Sequence, residues 1–148
     1  MAYVLKHSIG FHLNRAAAIV HAGFSKCLEP YGIAPEQFAT LKIISEDGEI
    51  TPSGIADMLA KGRPTVTRTL DALEKKGLIT RDSSDADRRI KPIRLTGKGL
   101  EVLGAVEPKA LQFNEAIRAR LAPGEAETFF HVLDTIIDTA RHHINPGE

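Results

Sequence analysis

The chain has 148 residues, one cysteine, six histidines and equal numbers of acidic and basic residues. Its 43% hydrophobic and 26% charged content suits a globular protein large enough to bury a core. No apolar run nears the roughly 18 residues that span a bilayer, a lone cysteine allows no internal disulfide, and the first twenty residues lack a signal-peptide pattern. A cytoplasmic location is the expectation.

In chain order, residues 8–29 read as a long helix, with Ile9, Leu13, Ala16, Ala17, Val20, Phe24, Cys27 and Leu28 recurring at steps of three and four. Gly32 suits a left-handed cap, and Pro35 opens a second helix over 35–47 that buries Phe38, Leu41 and Ile44. After the turn at Asp47-Gly48, Thr51 caps a short helix over 52–60, with Ile55, Met58 and Leu59 inward. Gly62 breaks and Pro64 restarts, giving a helix over 64–76 that buries Val66, Leu70 and Leu73 and ends at Gly77. A strand follows at 78–81, then the polar stretch SSDADRRIKPIRL, whose alternating Ile93 and Leu95 predict a return strand over 90–95. Pro92 cannot donate to a ladder, so that strand is expected to leave an edge there. Thr96 caps a long helix to about residue 121, which Pro108 should bend. The last helix, 124–144, carries Phe129, Phe130, Leu133, Ile136, Ile137 and Ala140 on one face.

A short helix, a tight turn, a second helix and a two-stranded ribbon make a winged helix-turn-helix. The fold class expected is mainly α with a small β-hairpin wing, a winged helix-turn-helix flanked by long amphipathic helices. The charge follows the same division. Residues 61–98 hold eleven Lys/Arg and five Asp/Glu, a net of +6, and the remainder is −6. A basic module on an acidic body suits a DNA-facing surface, although solvated basic faces are also common. A helix can enter the major groove only if one side packs and the other is short, polar and basic. Val66, Leu70 and Leu73 pack; Arg63, Pro64, Thr65, Thr67 and Arg68 occupy the N-terminal end, where the helix dipole favours phosphate. Which of these read bases and which grip phosphate stays open. The alternative is a solvated helix face.

The segment IADMLAKGRPTVTRTLDALEKKGLITRDSSDADRRIKPIRLTGKG closely resembles the DNA-binding core of MarR-family transcriptional regulators. The resemblance is carried by Val66-Thr67-Arg68, Leu73-Glu74 with Gly77-Leu78, Asp87-Arg88-Arg89, and Leu95-Thr96 with Gly99. The preceding YGIAPEQFATLKII is similar to the family's second helix, so the match runs through nearly the whole chain in order and spacing.

That resemblance implies a triangular homodimer whose terminal helices interleave, with residues 1–34 and 97–148 as dimerisation segments around a DNA-binding lobe, 35–96. Two-fold symmetry then implies a near-palindromic operator with half-sites about one helical turn apart. It implies a wing arginine in the minor groove and an aspartate bracing the loop; Arg89 and Asp87 are expected in those roles, with Arg88 as the alternative. It also implies a small anionic or aromatic effector, lined by position by Phe11, His12, Arg15, Phe38 and Met58, with Arg15 and His12 facing a carboxylate. The competing reading makes Phe11 and Met58 plain core. Repression is the family's commoner habit.

Relatives that sense peroxide place their cysteine nearer the start of the first helix; Cys27 lies near the end on the apolar stripe, so an inert thiol is expected. The long helix from 97 lacks the histidines that zinc-sensing relatives carry, and the other histidines are scattered, so no metal or cofactor is expected. No nucleophile elbow, zinc-protease or phosphate-loop motif points to an enzyme. The remaining alternatives are a winged helix used only for protein contact, which the basic concentration at 61–98 disfavours, and a general DNA-coating module without an effector.

Overall fold

A computed structural model describes residues 1–82 and 92–145. Two compact units divide it, residues 1–110 and 111–148.

In the first unit a short 3-10 turn, Leu5–His7, precedes α1, Ile9–Leu28. Ser8 starts α1 by accepting the Phe11 N–H at 3.2 Å. A second 3-10 turn, Glu29–Tyr31, ends at Gly32 with φ of +66°, where a left-handed backbone favours glycine. Helix α2, Pro35–Glu46, begins with its proline at the first position, and the Ala34 N–H just before it donates to Gln37 Oε1 at 3.1 Å. Helix α3, Pro52–Leu59, is capped by Thr51, whose hydroxyl accepts the Gly54 N–H at 3.1 Å. Helix α4, Arg63–Lys75, follows after a short break, and Gly77 turns the chain at φ of +73° into β1, Ile79–Arg81. Strand β2, Ile93–Leu95, pairs antiparallel with it, matching Ile79 with Leu95, Thr80 with Arg94 and Arg81 with Ile93. Pro92 stands just outside this pairing, and its carbonyl still accepts the Asp82 N–H at 3.3 Å.

One hydrophobic cluster gathers Leu28, Ile33, Leu41, Ile43, Ile44, Ile55, Val66, Leu70, Leu73, Leu78, Ile79, Ile93, Leu103 and Val106. Each fully buried aliphatic side chain is worth roughly 1.5–3 kcal/mol relative to exposure. The cluster takes Leu28 from the end of α1 and Leu103 and Val106 from α5, Gly97–Arg118, so the lobe's core reaches past both ends of the 35–96 segment.

Thr96 joins wing and helix. Its hydroxyl donates to the Gly77 carbonyl at 2.6 Å and accepts the Gly99 N–H at 3.0 Å. Gly99 is required for space, because a Cβ there would stand 2.1 Å from the Leu78 carbonyl oxygen. Helix α5 remains helical through Pro108.

In the second unit, Gly124 adopts a left-handed φ of +82° and opens α6, Glu125–Ile144. The Glu125 carboxylate accepts the Ala122 N–H at 2.7 Å, and Arg118 reaches Glu127 at 3.5 Å. Only Ala126 of α6 is buried, while Phe129 and Phe130 are each 52% exposed. Along α1, Ile9, Ile19 and Val20 are exposed as well, while Phe24 and Leu28 at its end pack on the core.

One expected position is corrected. Met58 does not point inward with Ile55; it is 62% exposed, because the inner face of the two-turn α3 is filled by Ile55 and Ala56, with Leu59 half-buried.

Candidate nucleic-acid interface

The turn between α3 and α4 runs through Ala60, which takes a left-handed φ of +49°, and Gly62 in extended conformation. The N-H groups of Ala60 and Lys61 return to the end of α3. This tight return sets α4 against α3, with Val66, Leu70 and Leu73 buried. The 3.6-residue period then leaves the other side outward: Arg63, Pro64, Thr67 and Arg68 are exposed, and Thr65 is half-buried. Pro64 occupies the first turn, where its missing N–H costs no helical bond.

Local contacts orient the α4 cations. The Arg63 guanidinium donates to the Ser53 hydroxyl at the start of α3. Arg68 approaches Thr65 Oγ1 at 3.4 Å, and Thr69 donates to the Thr65 carbonyl at 3.1 Å.

The basic segment separates into two groups. Lys61 pairs with Glu36 at 3.3 Å. Lys76 donates to the Gly32 carbonyl at 2.6 Å and to Gln37 Oε1 at 2.9 Å, and Lys98 donates to the Lys76 carbonyl at 2.9 Å. These cations tie α2, α4 and α5 together within the lobe. All of these cations are exposed, as are Arg63, Arg68, Lys75 and Arg94, but among the described residues Arg63 and Arg68 reach only the neutral hydroxyls of Ser53 and Thr65. Asp87, Arg88 and Arg89 lie outside the described residues.

Arg81 belongs to the structural group and was not among the sequence-derived candidates. It donates to Asp71 Oδ1 at 2.6 Å and to Glu74 Oε2 at 2.5 Å and 3.2 Å. The Arg81 hydrogen bond holds the Glu74 carboxyl below the ordinary carboxylate range, and the Glu74 partner raises Arg81 in turn. Strand parity is the signal that could have found it: Arg81 shares its face with the buried Ile79, and Asp71 and Glu74 stand one turn apart on α4.

The five effector candidates have other neighbours. His12 makes a 2.8 Å hydrogen bond to the Lys6 carbonyl, and its ring meets Phe11 edge-on at 5.5 Å. Phe38 packs on Phe24 at 5.7 Å. Arg15, Phe11 and Met58 are exposed, so neither Phe11 nor Met58 is core within the chain. Cys27 is a half-buried free thiol. Among the described residues no three His, Cys, Asp or Glu side chains gather to hold a metal ion, and no helix is long and apolar enough to cross a membrane.

A helix packed on one side and polar on the other, entered from a short helix through a tight turn and followed by an antiparallel ribbon, defines a winged helix-turn-helix protein. The MarR family model matches residues 33–91. The uncharacterized HTH-type transcriptional regulator YwoH of Bacillus subtilis (strain 168) is 30% identical over 132 residues, covering 89% of this chain and 95% of that protein. Among solved structures, the transcriptional repressor CouR bound to a 23-mer DNA duplex matches with a TM-score of 0.79 and 30% identity over 90% of this chain and 94% of that one. The S. aureus MepR–DNA complex matches with a TM-score of 0.80 and 25% identity over 91% and 98%. The chain belongs to the MarR family and is a DNA-binding transcriptional regulator.

Proposed function

We infer that the protein is a ligand-responsive repressor that binds a near-palindromic operator as a homodimer and is released by a small anionic or aromatic effector. The observation that carries the reading is the split surface of α4, with Val66, Leu70 and Leu73 buried and Arg63, Pro64, Thr67 and Arg68 presented outward. In this reading α4 enters the major groove, where arginine can pair bidentately with guanine and threonine methyls can meet thymine. Thr65 braces the helix start beside Arg68. Arg89, with Arg88 beside it, enters the minor groove, and Asp87 steadies the loop. The repressor assignment is supported by CouR, a repressor in complex with DNA.

The exposed apolar stripes of α1 and α6 support a second copy as their cover, with residues 1–34 and 97–148 as dimerisation segments around the 35–96 lobe. Phe11, His12, Arg15, Phe38 and Met58 line the effector site, where the exposed Arg15 meets the anion and Phe11 and Met58 offer apolar surface. An effector moves the equilibrium only through its differential affinity for a dimer whose two α4 helices are wrongly spaced for successive major grooves. The protein acts by binding rather than by catalysis, in the cytoplasm where its DNA lies.

The test is selection from a random duplex pool at about physiological salt. An enriched two-fold motif is the expected result. Weak, salt-sensitive binding without enrichment would instead indicate a general DNA-coating or protein-contact module.

A further inference from the structure

Asp71 and Glu74 lie on the same ridge of α4 as Thr67, at steps of four and three residues. Thr67 is part of the outward surface assigned to DNA, so two carboxylates continue that ridge towards the helix end. Left alone they would set negative charge beside the DNA backbone. The Arg81 guanidinium lies across both, with contacts of 2.5–3.2 Å, and its side chain is 26% exposed. A planar guanidinium fork held on one strand can take two carboxylates from successive turns at once, with fixed direction.

Arg81 ends β1, opposite Ile93 of β2. The clamp therefore joins the ribbon to the C-terminal half of α4 from the flank, while Leu70, Leu73, Ile79 and Ile93 join them through the core. Apolar contacts hold the ribbon against the helix but are not directional; the two charged hydrogen bonds add direction.

We propose that Arg81 is a positioning residue for DNA recognition: it sets the angle between the β1–β2 ribbon and α4 and offsets part of the negative charge that Asp71 and Glu74 place on the Thr67–Asp71–Glu74 ridge, without itself touching DNA. The proposal rests on the DNA reading of α4 given above.

The test uses the full-length protein and a duplex selected by the wild type, with affinity read by fluorescence anisotropy well below the thermal midpoint of each variant. Arg81→Ala is expected to weaken binding about tenfold, the scale of one lost charged hydrogen-bonding partner, and Arg81→Lys to fall between it and wild type. Amide exchange in β1 and in the last turns of α4 should accelerate while α2 is unchanged. Arg81→Glu should weaken binding in the wild-type background but not in a Glu74→Arg background, where the pair is restored with its charges exchanged. Loss of affinity in both backgrounds would make Arg81 a direct DNA contact and overturn the proposal. An Arg81→Ala protein that melts earlier yet binds as tightly when folded would reduce the clamp to a stabilising contact and overturn it as well. Should Arg81→Ala fail to fold, Arg81→Lys carries the same comparison. A wild type that binds no duplex would remove the DNA reading itself, and this proposal with it.

Discussion

The lobe from Leu28 to Val106 and the helix Glu125–Ile144 draw on the same kinds of apolar residue and treat them in opposite ways. In the lobe Leu41, Ile55, Leu70, Leu73 and Val106 are at most 1% exposed. In α6 the largest apolar side chains, Phe129 and Phe130, remain half in water, and Val132, Ile137 and Ile144 are exposed as well. The lobe is a closed unit whose helices and ribbon satisfy one another. Helix α6 has the amphipathic period of a packed helix, with an apolar face that stays exposed among the described residues. The difference teaches that the outward surface of α4 is a product of packing within the lobe, whereas the period of α6 orders an apolar face that stays exposed among the described residues.

The most damaging way to break that comparison is to make α6 polar. Phe129→Ser with Phe130→Ser should spare the lobe and dissociate the dimer. Two half-exposed rings per chain, four in a symmetric pair, correspond to about 4 kcal/mol, or roughly a thousandfold in the dissociation constant. Sedimentation at micromolar concentration reads this directly; a dimer that persists unchanged would mean α6 is not its interface.

The lobe should break differently. Gly99→Ala places a methyl group against the Leu78 carbonyl, backbone against backbone, and should cost about 3 kcal/mol in denaturant unfolding. The loss belongs to the folding of each chain, so it should persist at protein concentrations that saturate the dimer.

Acid titration sharpens the contrast further. The Glu74 carboxyl is held below its ordinary value near 4.5 by Arg81, so its contribution is fully present above that value and is lost as pH falls through the lower folded value. Unfolding free energies of wild type and Glu74→Gln should therefore differ at neutral pH and converge as the solution is taken well below pH 4.5. A constant gap down to pH 3 would mean the pair is not formed in solution.

The smallest effect is expected at Ala60. Its left-handed φ strains a residue with a Cβ, and glycine relieves that strain while adding freedom to the unfolded chain. Ala60→Gly should raise lobe stability by roughly 0.5 kcal/mol, the difference between about 1–2 kcal/mol of relief and about 1 kcal/mol of entropy.

Much of this organisation was readable from residue order. The helix over 8–29 became Ile9–Leu28, Thr51 and Pro52 opened α3, and Gly32 and Gly77 took left-handed turns. Apolar spacing selected Val66, Leu70 and Leu73 as the buried side of α4 and so left Arg63, Thr67 and Arg68 outside. Each of these follows from local geometry, in which period, capping and backbone sterics act within a few residues. Met58 escaped that reasoning because a two-turn helix has too few residues to show which flank of its apolar face is covered.

By itself, then, the sequence determined the succession of elements, the winged helix-turn-helix and the polar end of α4, since those depend on interactions along the chain. Only the tertiary structure decided how the basic segment divides. Lys61, Lys76, Lys98 and Arg81 look like Arg63 and Arg68 in composition, and became internal ties because folding brought Glu36, Gly32, Lys76 and the Asp71–Glu74 pair within hydrogen-bond reach. Charge counts along a chain carry no distances, and it is distance that turns a cation into a strut or leaves it facing solvent.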